Sequence, residues 1–185
     1  MKITHLVIAS TTLAASLAIP TLLGQTQSLA ASTAPPPPAA PKGTCKTFGA
    51  GKCCSPDITM HLSKEAVFSA CGESEATFLG EAASKDMFTC KYYFKVAGAS
   101  SDENYVQVYM NPSKEVPDRP TDPFFSYRKV GKVWMTDRAK SPKAAAMSNA
   151  TTGLYRAGKG YYVMVSASTK VCTKHEVVRL ARSLK

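Results

Sequence analysis

Apolar and polar residues alternate with a period of two from Phe88 to Val96. This sets Phe88, Cys90, Tyr92, Phe94 and Val96 against Lys91, Tyr93 and Lys95, the signature of a half-buried strand. Tyr105 to Met110 repeats the pattern, with Val106, Val108 and Met110 opposite Tyr105, Gln107 and Tyr109. The polar run Ser100-Ser-Asp-Glu-Asn104 between them reads as a turn, so the two strands predict an antiparallel hairpin. Pro112, Pro117, Pro120 and Pro123 exclude regular structure from 111 to 123 and predict an ordered loop or crossing there. Strand structure is expected to resume from Val130 to Thr136. Gly153 to Ser168 then reads as strand, turn, strand, with Gly158 and Gly160 able to supply the positive φ of a tight hairpin.

Two stretches carry the helical period instead. Ser63 is placed to cap a helix running to Cys71, with Ala66, Val67, Ala70 and Cys71 on one face and Gly72 as its stop. Thr173 opens a second helix in which Val177, Leu180, Ala181 and Leu184 fall at i, i+3, i+4 and i+7, one apolar stripe to lay on a sheet. The expected architecture is therefore α+β: an antiparallel sheet packed by an N-terminal and a C-terminal helix.

The N-terminus follows a different logic. A short basic start precedes an apolar run from Leu6 to Leu23, and small residues at Ser28 and Ala30 fit cleavage after Ala30. Residues 1–30 thus read as an export signal, and cleavage leaves no membrane span. The alternative is an uncleaved anchor, since about 18 apolar residues approach the roughly 20 that cross a bilayer. Residues 31–44, with Pro35 to Pro38 and nothing large to bury, read as a proline- and alanine-rich linker. A single domain of residues 45–185 remains, long enough to bury a core of its own.

All six cysteines, Cys45, Cys53, Cys54, Cys71, Cys90 and Cys172, lie in that domain. An exported chain keeps disulfides, so these thiols read as a framework for a periplasmic or extracellular protein. The neighbours Cys53 and Cys54 are expected to bond elsewhere and not to each other. Cys45 is paired with one of them in the N-terminal segment, and Cys172 with another element. The competing reading takes Cys53 and Cys54 with Cys45, Cys71 or His61 as metal ligands, but the Cys-x-x-Cys spacing of zinc sites is absent.

Catalytic chemistry finds few candidates. After signal removal only His61 and His175 remain, no Gly-x-Ser-x-Gly elbow is present, and Gly158 and Gly160 lack the strand-to-helix context of a phosphate loop. No catalytic residue, metal or cofactor is assigned, and a hydrolase is disfavoured. Asn149-Ala-Thr151 is an N-glycosylation sequon, relevant only in a host that glycosylates exported proteins.

Charge changes the picture more. The chain holds 23 Lys and Arg against 13 Asp and Glu. Thirteen of those cations lie between Arg128 and Lys185, where Asp137 and Glu176 are the only acids. Such asymmetry predicts attraction to polyanions. The anion-binding candidates are Lys129, Lys132, Arg138, Arg156, Lys159, Lys174, Arg182 and Lys185. Nucleic acid is disfavoured as the partner because no recognition motif accompanies the charge.

Ser63-Lys-Glu-Ala leading to Cys71-Gly, then Cys90-Lys-Tyr, then Leu154-Tyr-Arg-Ala-Gly-Lys-Gly through Val177-Val-Arg-Leu-Ala, follow in an order that resembles bacterial envelope proteins with a PsbP-like sheet-and-helix domain. The resemblance spans residues 55 to 185. Members of that group are often lipoproteins, and this chain lacks the lipobox cysteine. What the resemblance implies is a non-enzymatic accessory or binding domain, with no functional residue carried over. The expected function is that of an exported binding or accessory protein of the cell envelope. Its basic C-terminal part would contact an anionic envelope component or an acidic protein. The alternative is a secreted inhibitor or effector that docks another protein through the 111 to 123 loop.

Overall fold

The computed structural model describes residues 45–185, and the signal and linker readings of residues 1–44 lie outside them. The alternating segments form one seven-stranded antiparallel sheet. Its strands are β1 Phe78–Ala83, β2 Thr89–Phe94, β3 Tyr105–Pro112, β4 Phe125–Val130, β5 Val133–Ala139, β6 Thr151–Gly158 and β7 Tyr161–Ser168. Their spatial order is β1-β2-β3-β7-β6-β5-β4. Two meanders, β1-β2-β3 and β4-β5-β6-β7, therefore meet where β3 pairs with β7.

The register gathers the apolar half of each alternation on one face. Cys90 opposes Val108, Val108 opposes Val165, Val165 opposes Leu154 and Leu154 opposes Met135. All five are buried, so a continuous apolar band runs across five strands. Two helices cover that face, α2 Lys64–Cys71 and α4 Lys174–Ser183, after the single turn α1 Pro56–Thr59. The Ser63 hydroxyl accepts from the Ala66 N–H and Gly72 ends α2 at φ 70°. At α4 the Thr173 hydroxyl and the Glu176 carboxylate form a reciprocal capping box, an arrangement that stabilises a helix start by about 1 kcal/mol.

The two helices lie antiparallel and are tied at both ends. Cys71, the last residue of α2, is bonded to Cys172 just before α4. At the opposite ends, Lys185 donates its N–H to the His61 carbonyl at 3.3 Å, and the main-chain oxygen of Lys185 lies 3.1 Å from His61 Nδ1. Val67, Ala70, Val177, Leu180 and Ala181 fill the space between helices and sheet. Tyr92 reaches through this layer to donate its hydroxyl to the Leu62 carbonyl at 2.8 Å, and burial raises its pKa above the ordinary phenol value.

The segment from Cys45 to Cys54 protects one sheet edge. Phe48 donates to the Glu81 carbonyl, Glu81 to the Lys46 carbonyl, and Ala83 to the Lys52 carbonyl. The segment thus occupies the hydrogen-bonding side of β1 that would otherwise stand open.

The other face is crossed by a loop. Four antiparallel steps separate β3 from β4, so the two strands run in the same direction, and residues 113–124 must traverse the sheet to join them. Tyr155 and Trp134 oppose each other on the face away from the helices. Tyr155 donates its hydroxyl to the Pro117 carbonyl at 2.6 Å and Trp134 its indole N–H to the Asp118 carbonyl at 2.7 Å. The crossing predicted from the prolines is present, and these two bonds fix where it lies.

Three expectations need correction. Val130–Thr136 is not one strand: Val130 ends β4, Gly131 turns at φ 60°, and β5 begins at Val133. A two-residue hairpin turn does not interrupt the alternation enough to be seen in sequence. β2 is shorter than Phe88 to Val96, and Phe88 is exposed. β3 continues past Met110 to Pro112 because its last residues still pair with Tyr161 and Tyr162 of β7. Four elements also went unread: the single turn α1, β1, β4 and a helix α3, Pro142–Ala150, capped by the Ser141 hydroxyl.

Candidate binding surfaces

The sealed face leaves little for chemistry. His61 is buried at the junction of α2 and α4, its ring 5.0 Å from that of Tyr161. The partner of Nδ1 is the main-chain oxygen of Lys185, which can only accept, so that nitrogen carries the proton and donates. His175 is exposed in the first turn of α4, at the far end of that helix from His61. The two histidines therefore share no constellation.

The cysteines form three bridges, Cys45–Cys53, Cys54–Cys90 and Cys71–Cys172, and no cysteine of the described residues is free. Cys53 and Cys54 bond different partners, as the strain of linking neighbours requires. The sulfurs of Cys45 and Cys53 do lie within 4.8 Å of the Glu81 carboxylate. Both are consumed in a disulfide, so no thiolate is present to ligate a metal. Glu81 meanwhile accepts from the Cys54 N–H at 2.8 Å, which ties the N-terminal segment to the core.

The eight anion-binding candidates separate into two sets. Lys132 and Lys159 occupy the β4–β5 and β6–β7 turns. Those turns lie at the same end of neighbouring hairpins, about 10 Å apart at the usual strand spacing. The same end receives the C-terminus of α4, because Arg156 of β6 donates from Nη1 to the Leu184 carbonyl at 2.8 Å. Arg182 and Lys185 belong to that end of the helix, and Lys132, Lys159, Arg182 and Lys185 are all exposed. Among the described residues none of these four makes a salt bridge. Arg156 is partly buried and structural.

Arg138 and Lys174 lie elsewhere, whereas Lys129, opposite Trp134 and one residue before the end of β4, borders the same turn as Lys132. The Lys129 ammonium is 5.8 Å from the centroid of the Trp134 ring. Arg138 pairs with Asp137 at 3.9 Å, and Asp137 is shared with Arg128 at 3.6 Å. Lys174 sits in the first turn of α4, away from Lys185. The basic residues thus surround the domain, with one unneutralised group at the turn end.

The face away from the helices carries the polar half of each alternation, and that half is rich in aromatic residues. Phe48 stacks on Tyr93 at 4.1 Å, and Tyr162 packs against both Tyr109 and Tyr155. β5 pairs with β6 over Trp134 and Met135 only. The Gly153 N–H then turns to the Thr136 hydroxyl at 3.1 Å. α3 packs against both strands where they part. A cleft of about 250 Å³ results, floored by Gln107, Tyr109, Gly153 and Met164 and walled by Met147 of α3 and Asp122 of the crossing loop. Asp122 holds its own loop in place, accepting through Oδ1 from the N–H groups of Phe124 and Phe125. Tyr127 points its hydroxyl at Asp122 Oδ2 from 3.4 Å, and burial, with that carboxylate beside it, pushes the Tyr127 pKa up to about 12.

Sequence reading missed this cleft because no short motif encodes it. Its lining comes from β3, β4, β5, β6, β7, α3 and the crossing loop, and only the position of the crossing brings them together. The alternation did contain a signal, in that the outward sides of β3 and β7 carry Tyr105, Tyr109, Tyr162 and Met164 and no lysine or glutamate.

No family model, curated protein or solved structure matches this chain.

Proposed function

We propose that this chain is an exported, non-enzymatic binding domain of the cell envelope, periplasmic or extracellular, that contacts an anionic surface through the turn end of its sheet. The observation that carries the reading is the group Lys132, Lys159, Arg182 and Lys185, exposed at one end of the domain and, among the described residues, in no salt bridge. Cations already neutralised, such as Arg128 and Arg179 with Asp137 and Glu176, have less to offer an anion. Unpaired exposed cations gain Coulomb energy without first breaking an ion pair, and their attraction falls as salt screens it. Three disulfides support an oxidising compartment.

The test is co-sedimentation with vesicles. Phosphatidylglycerol vesicles should retain the protein at low salt and release it as salt rises, while phosphatidylcholine vesicles should not retain it. Equal retention on both would overturn the reading. Retention on neither, with one salt-resistant protein recovered from envelope extracts, would move the assignment to the inhibitor or effector class.

A further inference from the structure

The cleft on the open face is a second and separate site. Among its lining residues Asp122 is the only charged one, and no lysine or arginine contributes. Lys140 approaches Asp122 from outside the lining, where its ammonium donates to the Asp122 backbone carbonyl at 2.8 Å and makes no salt bridge with the carboxylate. Oδ1 of Asp122 is committed to two backbone N–H groups, but Oδ2 has only the long contact from the Tyr127 hydroxyl. The rest of the lining includes the rings of Tyr109, Tyr127 and Phe125 and the thioethers of Met147 and Met164, with Gln107, Thr136, Thr151 and Ser166 adding uncharged polar groups.

This is an unusual environment on a chain with a net charge of +10. Aromatic faces attract cations through the ring quadrupole, thioethers are soft and polarizable, and a carboxylate supplies the full charge. A neutral apolar ligand would use the walls and leave Asp122 with nothing to bind. An anion would meet Asp122 directly and be repelled. The volume of about 250 Å³ suits a small molecule and excludes a folded segment.

We propose that this cleft binds a small organic cation, an alkylated ammonium group seated against Tyr109, Tyr127, Met147 and Met164 with Asp122 as its counter-ion. The site does not depend on the anionic contact at the turn end. Its occupant is opposite in charge, and its lining shares none of those four cations.

Choline and its neutral isostere 3,3-dimethylbutanol test the proposal, read by NMR titration of the Met147 and Met164 methyl signals of the intact domain. Choline should shift both signals and bind at least about ten-fold more tightly than the isostere, the size expected for a partly desolvated ammonium on aromatic faces. Asp122→Asn preserves the Oδ1 acceptor for Phe124 and Phe125, and should erase that preference without abolishing the weak binding of the isostere. Met164→Lys, at an exposed strand position, should exclude choline by placing an ammonium in the cleft. Equal affinity for the two probes, an unchanged preference in Asp122→Asn, or methyl signals that do not move would each overturn the proposal.

Discussion

The two faces of the sheet are built from the same strands and do opposite things. On the helix side, Val106, Val108, Val163, Val165, Leu154 and Leu180 are all but fully buried, and the helices that cover them are tied by a disulfide at one end and by His61 and Lys185 at the other. On the other side, Met164 and Met147 are exposed, and a crossing loop held by side-chain hydrogen bonds from Trp134, Tyr155 and Lys140 leaves a cleft beside it. Stability is concentrated on the first face. On the second, exposed positions such as Met164 and Met147 can vary at small cost.

That contrast can be broken from the helix side with the largest effects. Replacing both Cys71 and Cys172 by alanine opens a loop with a sequence separation of 101, and in the chain-entropy model should cost about 4 to 5 kcal/mol in denaturant unfolding. Leu180→Ala, at a position with no exposure, should cost about 3 kcal/mol by loss of burial and creation of a cavity. Thr173→Ala removes one half of the capping box and should cost about 1 kcal/mol. Met164→Ala, on the open face, should cost less than about 1 kcal/mol by the same measurement. A cost at Met164 equal to that at Leu180 would erase the distinction between the faces.

A smaller effect sharpens the comparison through pH. The Tyr127 pKa is raised to about 12 in the folded protein, above the value of about 10 expected in the unfolded chain. The unfolded state therefore loses its proton first. Stability from this group is complete below about pH 10 and is lost as pH rises towards 12. Tyr127→Phe should flatten the fall in unfolding free energy over that window relative to the parent, and an unchanged slope would mean that the tyrosine is not held as described.

What was legible in the sequence follows from which constraints are local. The stripe of Val177, Leu180 and Ala181 and the alternation of Cys90, Tyr92 and Phe94 report burial on one face, and both survive in the fold. β1 was missed because its register shifts between Phe78 and Gly80, so the alternation breaks within six residues. β4 was missed for a similar shift between Phe125 and Tyr127, next to prolines that argue against a strand. α3 has Ala144 as its only buried residue, and a helix that buries so little leaves no apolar period to find. The excess of basic residues was plain. Its division was not, because the use of Arg156 to hold the Leu184 carbonyl depends on β6 lying beneath α4. The cleft is less legible still, being a product of where one loop crosses.

The claim that the turn end of the sheet, and not net charge alone, contacts an anionic surface is tested most directly by moving the same charge change to two places. Lys132→Glu with Lys159→Glu alters the turn end, and Lys143→Glu with Lys170→Glu alters exposed residues at the start of α3 and after β7. Retention on phosphatidylglycerol vesicles at low salt should collapse for the first pair and persist for the second. Equal loss for both pairs would show that charge acts without regard to position and would contradict the assignment.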